Sequence, residues 1–196
     1  MCELDERVRC LLRAGDTEAA TTLVLRELGP EVLGFLSGVL SDADADEVFS
    51  SWSERLWKSL SGFEGRCSIR TWAYVLARHE LWSFRKGMRR RIEGCVPISN
   101  LKDIIAAVRT RTRTTMATGM QHKLRALRDA LPIADRTLLI LRVDRDLSWD
   151  DIALTFSEAP EAFGEEERKR ESARLRKRFQ LIKQRLGAQL RQAFAT

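Results

Sequence analysis

The sequence has little of what builds sheets, spans membranes or directs export. It contains one tyrosine and four prolines among 196 residues. Long stretches rich in Val, Ile, Thr and Tyr are missing, which argues against a β protein. No run of about 18 apolar residues occurs, so we expect no membrane insertion. Residues Met1 to Glu6 are acidic and lack an apolar run, unlike a signal peptide. These absences lead us to expect a cytoplasmic protein.

Groups that perform catalysis or bind metals are also scarce. The chain has two histidines, and no Ser/His/Asp set or glycine-rich phosphate loop is visible. The cysteines Cys2, Cys10, Cys67 and Cys95 form no CxxC pair, and we expect them to be reduced thiols. Zinc binding by the first three with His79 is left open, although the spacing matches no recognised pattern. We therefore expect a protein that is not an enzyme and that needs neither cofactor nor metal.

Charge is distributed unevenly along the chain. The formal net charge is +6, yet Asp42 to Glu47 is acidic, and Arg85 to Arg91 and Arg168 to Arg185 are basic. Two separated basic segments suggest two contacts with a polyanion. The alternative is that these charges simply cover solvated helix faces.

Apolar residues recur at steps of three and four, as in amphipathic helices. In the first half, this spacing predicts helices that are broken at Ala14-Gly15, at Gly29-Pro30 and in the loop Ser61 to Gly65. A further helix begins at Ser68 and runs to about Arg91. The expected helix caps are Asp16, Ser41 or Asp42, Asp135 and Ser148.

The second half begins with a polar, threonine-rich stretch at 93–118, which we interpret as a linker. A helix from His122 to Ala130 follows, and a long one runs from about Glu165 to Phe194. The long helix carries an apolar stripe with Lys177 almost opposite. The stripe consists of Leu175, Phe179, Ile182, Leu186 and Leu190.

Two segments, in the right order, resemble the extracytoplasmic-function (ECF) group of the sigma-70 family. Phe63 to His79 resembles that group's glycine loop and the helix after it, and Asp44 to Trp57 resembles its acidic helix, which ends in a tryptophan. Leu131 to Arg142, followed by Leu147 to Ala153, resembles the family's helix-turn-helix. Leu175 to Leu186 then resembles the recognition helix.

The chain departs from the family's pattern at identifiable positions. Ser50-Ser51 stands where the family usually has Gln-Glu, and His79 stands where Asn is common. A helix-turn-helix turn normally has about three or four residues, whereas roughly fifteen extra residues separate Phe156 from Leu175 here. We therefore expect an extended recognition helix or an added loop.

The resemblance implies an all-α fold of two small helical domains joined by a flexible linker. Residues 1–92 would form a region 2-like bundle for core polymerase and the −10 element, and 93–118 the linker. Residues 119–196 would form a region 4-like helix-turn-helix for the −35 element. The implied partners are core RNA polymerase, promoter DNA and an anti-sigma factor. A stand-alone helix-turn-helix regulator is the alternative, and it leaves residues 1–92 unexplained.

The resemblance also implies three sets of contact residues. Unpaired −10 bases stack on aromatics while cations follow the backbone, and a helix in the major groove reads the −35 element. The −10 set is Arg66, Arg70, Arg78, His79, Trp82, Arg85 and Lys86. The −35 set is Arg174, Arg176, Lys177, Arg178 and Gln180. The core polymerase set is Asp46, Glu47 and Trp57.

Overall fold

The structure, a computed structural model, describes residues 3–87, 128–158 and 160–194. The chain divides into two compact units, Met1–Thr115 and Met116–Thr196. The described residues form helices and turns without a strand, which confirms the all-α prediction. None of these helices is both long enough and apolar enough to cross a membrane. The predicted linker and most of the predicted helix from His122 to Ala130 lie outside the described residues.

Four α-helices build the described part of the N-terminal unit, residues 3–87. Helix α2 packs against α1, α3 and α4, and α3 packs against α4. A short 3₁₀ turn, Leu60–Gly62, follows α3. The helices are α1 (Glu3–Arg13), α2 (Thr17–Val39), α3 (Asp42–Ser59) and α4 (Ile69–Arg85).

Side-chain caps fix where three of these helices begin. The carboxylate of Asp16 accepts the Ala19 N–H at 2.9 Å. The Ser41 hydroxyl accepts the Asp44 N–H at 3.3 Å, so Ser41 rather than Asp42 caps α3. At the start of α4, the Ser68 hydroxyl accepts the Thr71 N–H at 3.0 Å. These bonds satisfy amides that have no partner within the helix. They confirm the predicted caps of α2 and α3 and the predicted helix start at Ser68.

The predicted break at Gly29-Pro30 is wrong, because α2 continues through Pro30 to Val39. A proline inside a helix costs about 3 kcal/mol, since it removes one hydrogen bond and crowds the preceding turn. Leu28, Val32 and Leu33 beside it are buried. Each such side chain gains about 1.5–3 kcal/mol on burial. Together they outweigh the local cost, so tertiary packing keeps the helix intact.

The core of the N-terminal unit is centred on Trp52, which is fully buried. Its indole N–H donates to the Ala73 carbonyl of α4 at 3.0 Å. Its ring stacks on Phe49 with centroids 5.2 Å apart. On another side of the core, Phe35 and Tyr74 meet edge to face at 5.6 Å. The hydrogen bond allows a large polar aromatic to be buried, and it ties α3 to α4.

Helix α1 reaches across to the start of α4. The carboxylate of Asp5, only 5% exposed, accepts the Ile69 N–H at 2.8 Å. A negative charge beside a helix N-terminus is favourable, and the buried amide gains an acceptor. Asp5 therefore fixes where α4 leaves the preceding loop.

Helix α4 ends earlier than the sequence predicted, at Arg85 rather than at about Arg91. Gly87 has a φ of 67°, in the left-handed region that commonly ends helices. Lys86 therefore lies just beyond the last turn of α4. The rest of the basic segment, Arg89 to Arg91, lies outside the described residues.

The C-terminal unit has α5 (Ile133–Leu139), α6 (Trp149–Phe156) and α7 (Glu165–Phe194) in its described part, 128–158 and 160–194. Helix α5 runs into a wider, π-type turn, Ile140–Asp144, and a 3₁₀ turn, Pro160–Ala162, precedes α7. Helix α7 packs against both α5 and α6.

Two of the capping predictions for this unit have different outcomes. The Ser148 hydroxyl accepts the Asp151 N–H at 3.1 Å, so Ser148 caps α6 as predicted. The prediction for Asp135 is wrong, because α5 begins after Pro132 without a side-chain cap. Proline suits a helix start because its φ is fixed and it lacks an N–H. The Asp135 carboxylate is thus available for another partner.

Replacement of Asp5 tests how strongly α1 holds α4. Asp5→Ala should lower the free energy of unfolding by about 1–3 kcal/mol, because the buried Ile69 amide loses its acceptor. Asp5→Asn keeps an acceptor and should recover most of that loss. Urea unfolding of the full chain, with hydrogen exchange at the Ile69 amide, measures both effects. Equal stability of the wild type and Asp5→Ala would contradict this role.

Candidate nucleic-acid interface

One face at the end of α4 gathers most of the predicted −10 residues. Arg78, Trp82 and Arg85 follow one another at steps of four and three, so they share a face of the helix. His79 and Arg78 are half-buried, whereas Arg85 and Lys86 are exposed. This surface, the α4 face, consists of Arg78, His79, Trp82, Arg85 and Lys86.

Trp82 is the aromatic centre of the α4 face. It is 40% exposed, which is unusual for a large apolar side chain. The Lys86 ammonium lies 3.3 Å from the centroid of its ring, an attraction of about 0.5–1 kcal/mol at an exposed site. An exposed indole beside cations is the combination that stacks on an unpaired base and follows a phosphate backbone.

Two predicted −10 residues lie away from the α4 face. Arg70 donates to the Glu31 carboxylate of α2, with its Nε 3.1 Å from Oε2, and its guanidinium lies 5.8 Å from the Tyr74 ring. It thereby joins α4 to α2. Arg66, in the glycine loop, is exposed and forms a 2.6 Å ion pair with Glu64. The structure places neither residue on the α4 face.

The glycine loop is anchored by α1. Gly65 has a φ of 73°, and its carbonyl accepts a hydrogen bond from Arg9 at 3.3 Å. Ring contact between Phe63 and the half-buried Trp72, with centroids 5.3 Å apart, attaches the loop to α4. The glycine loop therefore has defined attachments to α1 and to α4.

The predicted polymerase contacts lie on α3. Glu47 is exposed, while Asp46 and Trp57 are half-buried. Ser50 and Ser51, which depart from the family's Gln-Glu, donate their hydroxyls to the α3 carbonyls of Asp46 and Glu47 at 2.9 and 3.3 Å. Such bonds to the preceding turn are common for serine in helices. The two serines therefore direct their hydroxyls at their own helix.

The apolar stripe of α7 packs inward over its first half. Leu175, Phe179 and Ile182 are buried, whereas Leu186 and Leu190 are half-buried. The buried Ser172 adds a polar tie, since its hydroxyl lies 2.8 Å from an Asp150 carboxylate oxygen of α6. The stripe sets the rotation of α7, and it leaves Lys177 and Gln180 exposed, as predicted.

Arg174 is also exposed, but a neighbouring carboxylate holds it. Glu171, one turn earlier on α7, accepts two hydrogen bonds from its guanidinium, at 2.8 and 2.7 Å. These bonds and the negative charge of Glu171 raise the pKa of Arg174 above its ordinary value. The sequence analysis missed Glu171, although an acid three residues before an arginine on a helix is a recognisable signal.

Arg178 has a partner on a different helix. Its Nε donates to the Asp135 carboxylate of α5 at 2.6 Å, and both side chains are partly buried. The resemblance implied Arg178 as one of the −35 contact residues. Its bond to Asp135 shows that it also fastens α7 to α5.

Trp149, the first residue of α6, organises the other edge of α7. Its ring meets Phe179 edge to face, with centroids 5.5 Å apart. The guanidinium groups of Arg142 and Arg176 lie 5.3 and 5.8 Å from the ring centroid. Arg176 therefore lies at the edge of α7 that contacts α6. The sequence analysis did not single out Trp149 or Arg142 as neighbours of this surface.

The extra residues between Phe156 and Leu175 are divided between the two predicted forms. One part is the connection from Ser157 to Gly164, and the other extends α7 back to Glu165. The extension is acidic, and its first turn contains Glu165, Glu166 and Glu167. A hydrogen bond from Lys169 and its positive charge lower the pKa of Glu165, which favours the charged carboxylate. The N-terminal end of α7 should therefore repel phosphate.

The described residues offer no metal centre. Cys10 is exposed and Cys67 is half-buried, and Cys2 lies outside the described residues. Within 3–87, 128–158 and 160–194, no group of three or more His, Cys, Asp or Glu side chains could hold a metal ion. The zinc alternative therefore has no support from this part of the chain.

Comparisons with protein-family models, with curated proteins and with solved structures return no match. The likeness to ECF sigma factors stays an interpretation of the quoted residues. Any functional proposal therefore depends on the geometry of the two helix faces described above.

The bond between Arg178 and Asp135 predicts an energetic coupling between α7 and α5. A double-mutant cycle with Arg178→Ala and Asp135→Ala should give about 1 kcal/mol, because one charge-assisted bond between partly buried groups is lost. Urea unfolding of the full chain measures it. The Arg174–Glu171 pair, in which the arginine is 70% exposed, is the control because it joins residues one turn apart on a single helix, and its coupling should be about 0.3–0.5 kcal/mol. Additive effects of the Arg178 and Asp135 changes would show that the pair does not stabilise the unit.

Proposed function

We propose that this chain is an RNA polymerase sigma factor of the ECF type. It would direct core polymerase to promoter DNA in the cytoplasm, and an anti-sigma factor would restrain it. The observation that carries the proposal is the exposed Trp82 among cations on α4, in a different unit from the basic face of α7. Two DNA-facing helices in two units suit a protein that reads two promoter elements.

The α4 face is suited to the −10 element. Opening of the duplex exposes bases, and stacking of one base on an aromatic ring contributes about 1–3 kcal/mol. Lys86 covers one face of the Trp82 ring, so a base would stack on the other face or displace Lys86 toward a phosphate. Arg85 offers its charge to a neighbouring phosphate. Arg78 and His79 would extend the same contact along the helix.

The α7 face is suited to the −35 element. A major groove admits an α-helix, and Arg or Lys can bond the guanine edge. Lys177 and Gln180 are exposed opposite the buried stripe, so they would reach the bases. Arg176 lies at the edge, where the phosphates of the groove rim are closer.

Glu171 would limit how much Arg174 contributes to this reading. To bond a base, Arg174 must leave two hydrogen bonds to Glu171. An exposed ion pair within a helix is worth only about 0.3–0.5 kcal/mol. A base contact worth about 1–3 kcal/mol exceeds that cost. Arg174 would therefore exchange partners on binding.

A stand-alone helix-turn-helix regulator is the alternative function. It would need α5, α6 and α7 only. It gives no reason for an exposed tryptophan among cations on α4, or for the acidic first turns of α3. Binding to core RNA polymerase distinguishes the two functions, because a stand-alone regulator has no need of it.

The first test of the proposal concerns α3. The wild-type chain should bind purified core RNA polymerase, and Asp46→Lys with Glu47→Lys should weaken that binding at least about tenfold, since two charges are reversed at the contact. Run-off transcription from promoter DNA should fall in parallel.

Charge reversal on another helix is the control for that test. Glu27→Lys, at an exposed position of α2 outside the proposed contact, should change core binding less than about twofold. Circular dichroism checks that the variants fold. A wild-type chain that binds no core polymerase would favour the stand-alone regulator.

The second test concerns base reading by α7. Lys177→Ala should cost about 1–3 kcal/mol and relax sequence choice at one position. Glu171→Gln should raise affinity about fivefold, equivalent to about 1 kcal/mol, because Arg174 is released and one charge near the phosphates is removed. Binding to single-base variants of the upstream element, at several salt concentrations, measures both effects.

Glu167→Gln is the matched control for Glu171→Gln. It removes the same charge one turn earlier, where the carboxylate approaches the Gly164 amide and not Arg174. An equal gain from both changes would assign the effect to overall charge rather than to release of Arg174. Unchanged sequence choice in Lys177→Ala would mean that α7 does not read the bases.

A further inference from the structure

A shallow apolar groove runs between α1 and α2, on residues that the proposed sigma function does not use. Its volume is about 460 Å³. The lining residues are Arg7, Cys10, Leu11, Ala19, Thr22, Leu23 and Arg26. None of them is an acid, although both helices carry acidic residues elsewhere.

The groove has a shape that accommodates a third helix. Arg7, Cys10 and Leu11 follow helical steps of three and four on α1, and Ala19, Thr22, Leu23 and Arg26 do so on α2. Two such ridges side by side leave a furrow into which the ridge of a third helix fits. Amphipathic helices bind to grooves of this kind through apolar anchors spaced at three and four residues.

The charges of the groove indicate the chemistry of its occupant. Arg7 and Arg26 are exposed, and within the described residues neither makes an ion pair or a hydrogen bond to a side chain. Arg7 on α1 and Arg26 on α2 are the lining residues farthest along the chain from residues 14–16, which connect the two helices. They therefore lie at the end of the groove away from that connection. Two carboxylates one turn apart on a docked helix would match them.

From this geometry, we infer that the α1–α2 groove binds an amphipathic helix of a partner protein. The helix carries an apolar ridge and two carboxylates one turn apart at one end. The segment Arg109 to Arg113 of this chain is basic and would be repelled by the arginines. The inference does not depend on DNA binding or on polymerase binding.

The probe is a fluorescein-labelled helical peptide with a Leu/Ala ridge and two Glu residues one turn apart. A second peptide has Gln in place of both Glu residues. Fluorescence anisotropy with the full chain at low salt should show the Glu peptide binding at least about tenfold more tightly, a difference of about 1.4 kcal/mol. The difference should shrink as salt screens the exposed charges.

Variants of the chain test whether the Glu peptide binds in the α1–α2 groove. Arg7→Gln with Arg26→Gln should abolish the preference for the Glu peptide, whereas Arg13→Gln, an exposed arginine on α1 outside the groove, should preserve it. The bound Glu peptide should also slow alkylation of Cys10 and leave Cys67 unaffected. Circular dichroism checks that each variant keeps its helices.

Several results overturn the inference. They are no binding of the Glu peptide up to about 1 mM, equal binding of both peptides, and loss of the preference in Arg13→Gln. Sedimentation of the chain alone tests for a second copy as occupant. Self-association that Arg7→Gln with Arg26→Gln abolishes would replace the partner helix by another molecule of this chain. None of these outcomes bears on core polymerase binding, so the two proposals fail independently.

Discussion

Burial of the apolar stripe on α7 is the constraint that orients the candidate DNA-reading surface. Leu175, Phe179 and Ile182 each gain about 1.5–3 kcal/mol on burial, whereas an exposed ion pair contributes at most about 1 kcal/mol. The stripe therefore determines the rotation of the helix, and the charged side chains occupy the remaining surface of α7. In α2, the free energy gained by apolar burial likewise exceeds the cost of Pro30, so the helix stays continuous. In both helices, packing decides the geometry and polar groups adapt to it.

Features encoded within a few residues could be predicted from the sequence. The caps Asp16, Ser68 and Ser148 depend on a side chain and an amide three residues later, so a local pattern reveals them. The outward position of Lys177 follows from helical periodicity in the same way. The fold class needs no more information than this spacing.

Features that depend on distant partners could not be predicted. Glu31 lies 39 positions before Arg70, and Asp135 lies 43 positions before Arg178. No spacing rule connects such pairs, so both arginines were interpreted as exposed cations. Asp135 was interpreted as a cap for the same reason, because the residues around it in the sequence do not indicate its partner on α7. Cations on the surface of a helical protein thus divide into those that face solvent and those that fasten helices, and tertiary structure is needed to separate them.

The glycine loop constrains how this sequence can vary. Gly62 has a negative φ, and a Cβ there would meet no atom within 4 Å, so other residues fit that position. At Gly65, the φ of 73° strains any L side chain, and a Cβ would come within 2.8 Å of the Arg9 guanidinium. Arg9 would have to move and release the Gly65 carbonyl. Among functional variants of this chain, other residues can therefore replace Gly62, whereas any side chain at position 65 would have a strained backbone and would displace Arg9.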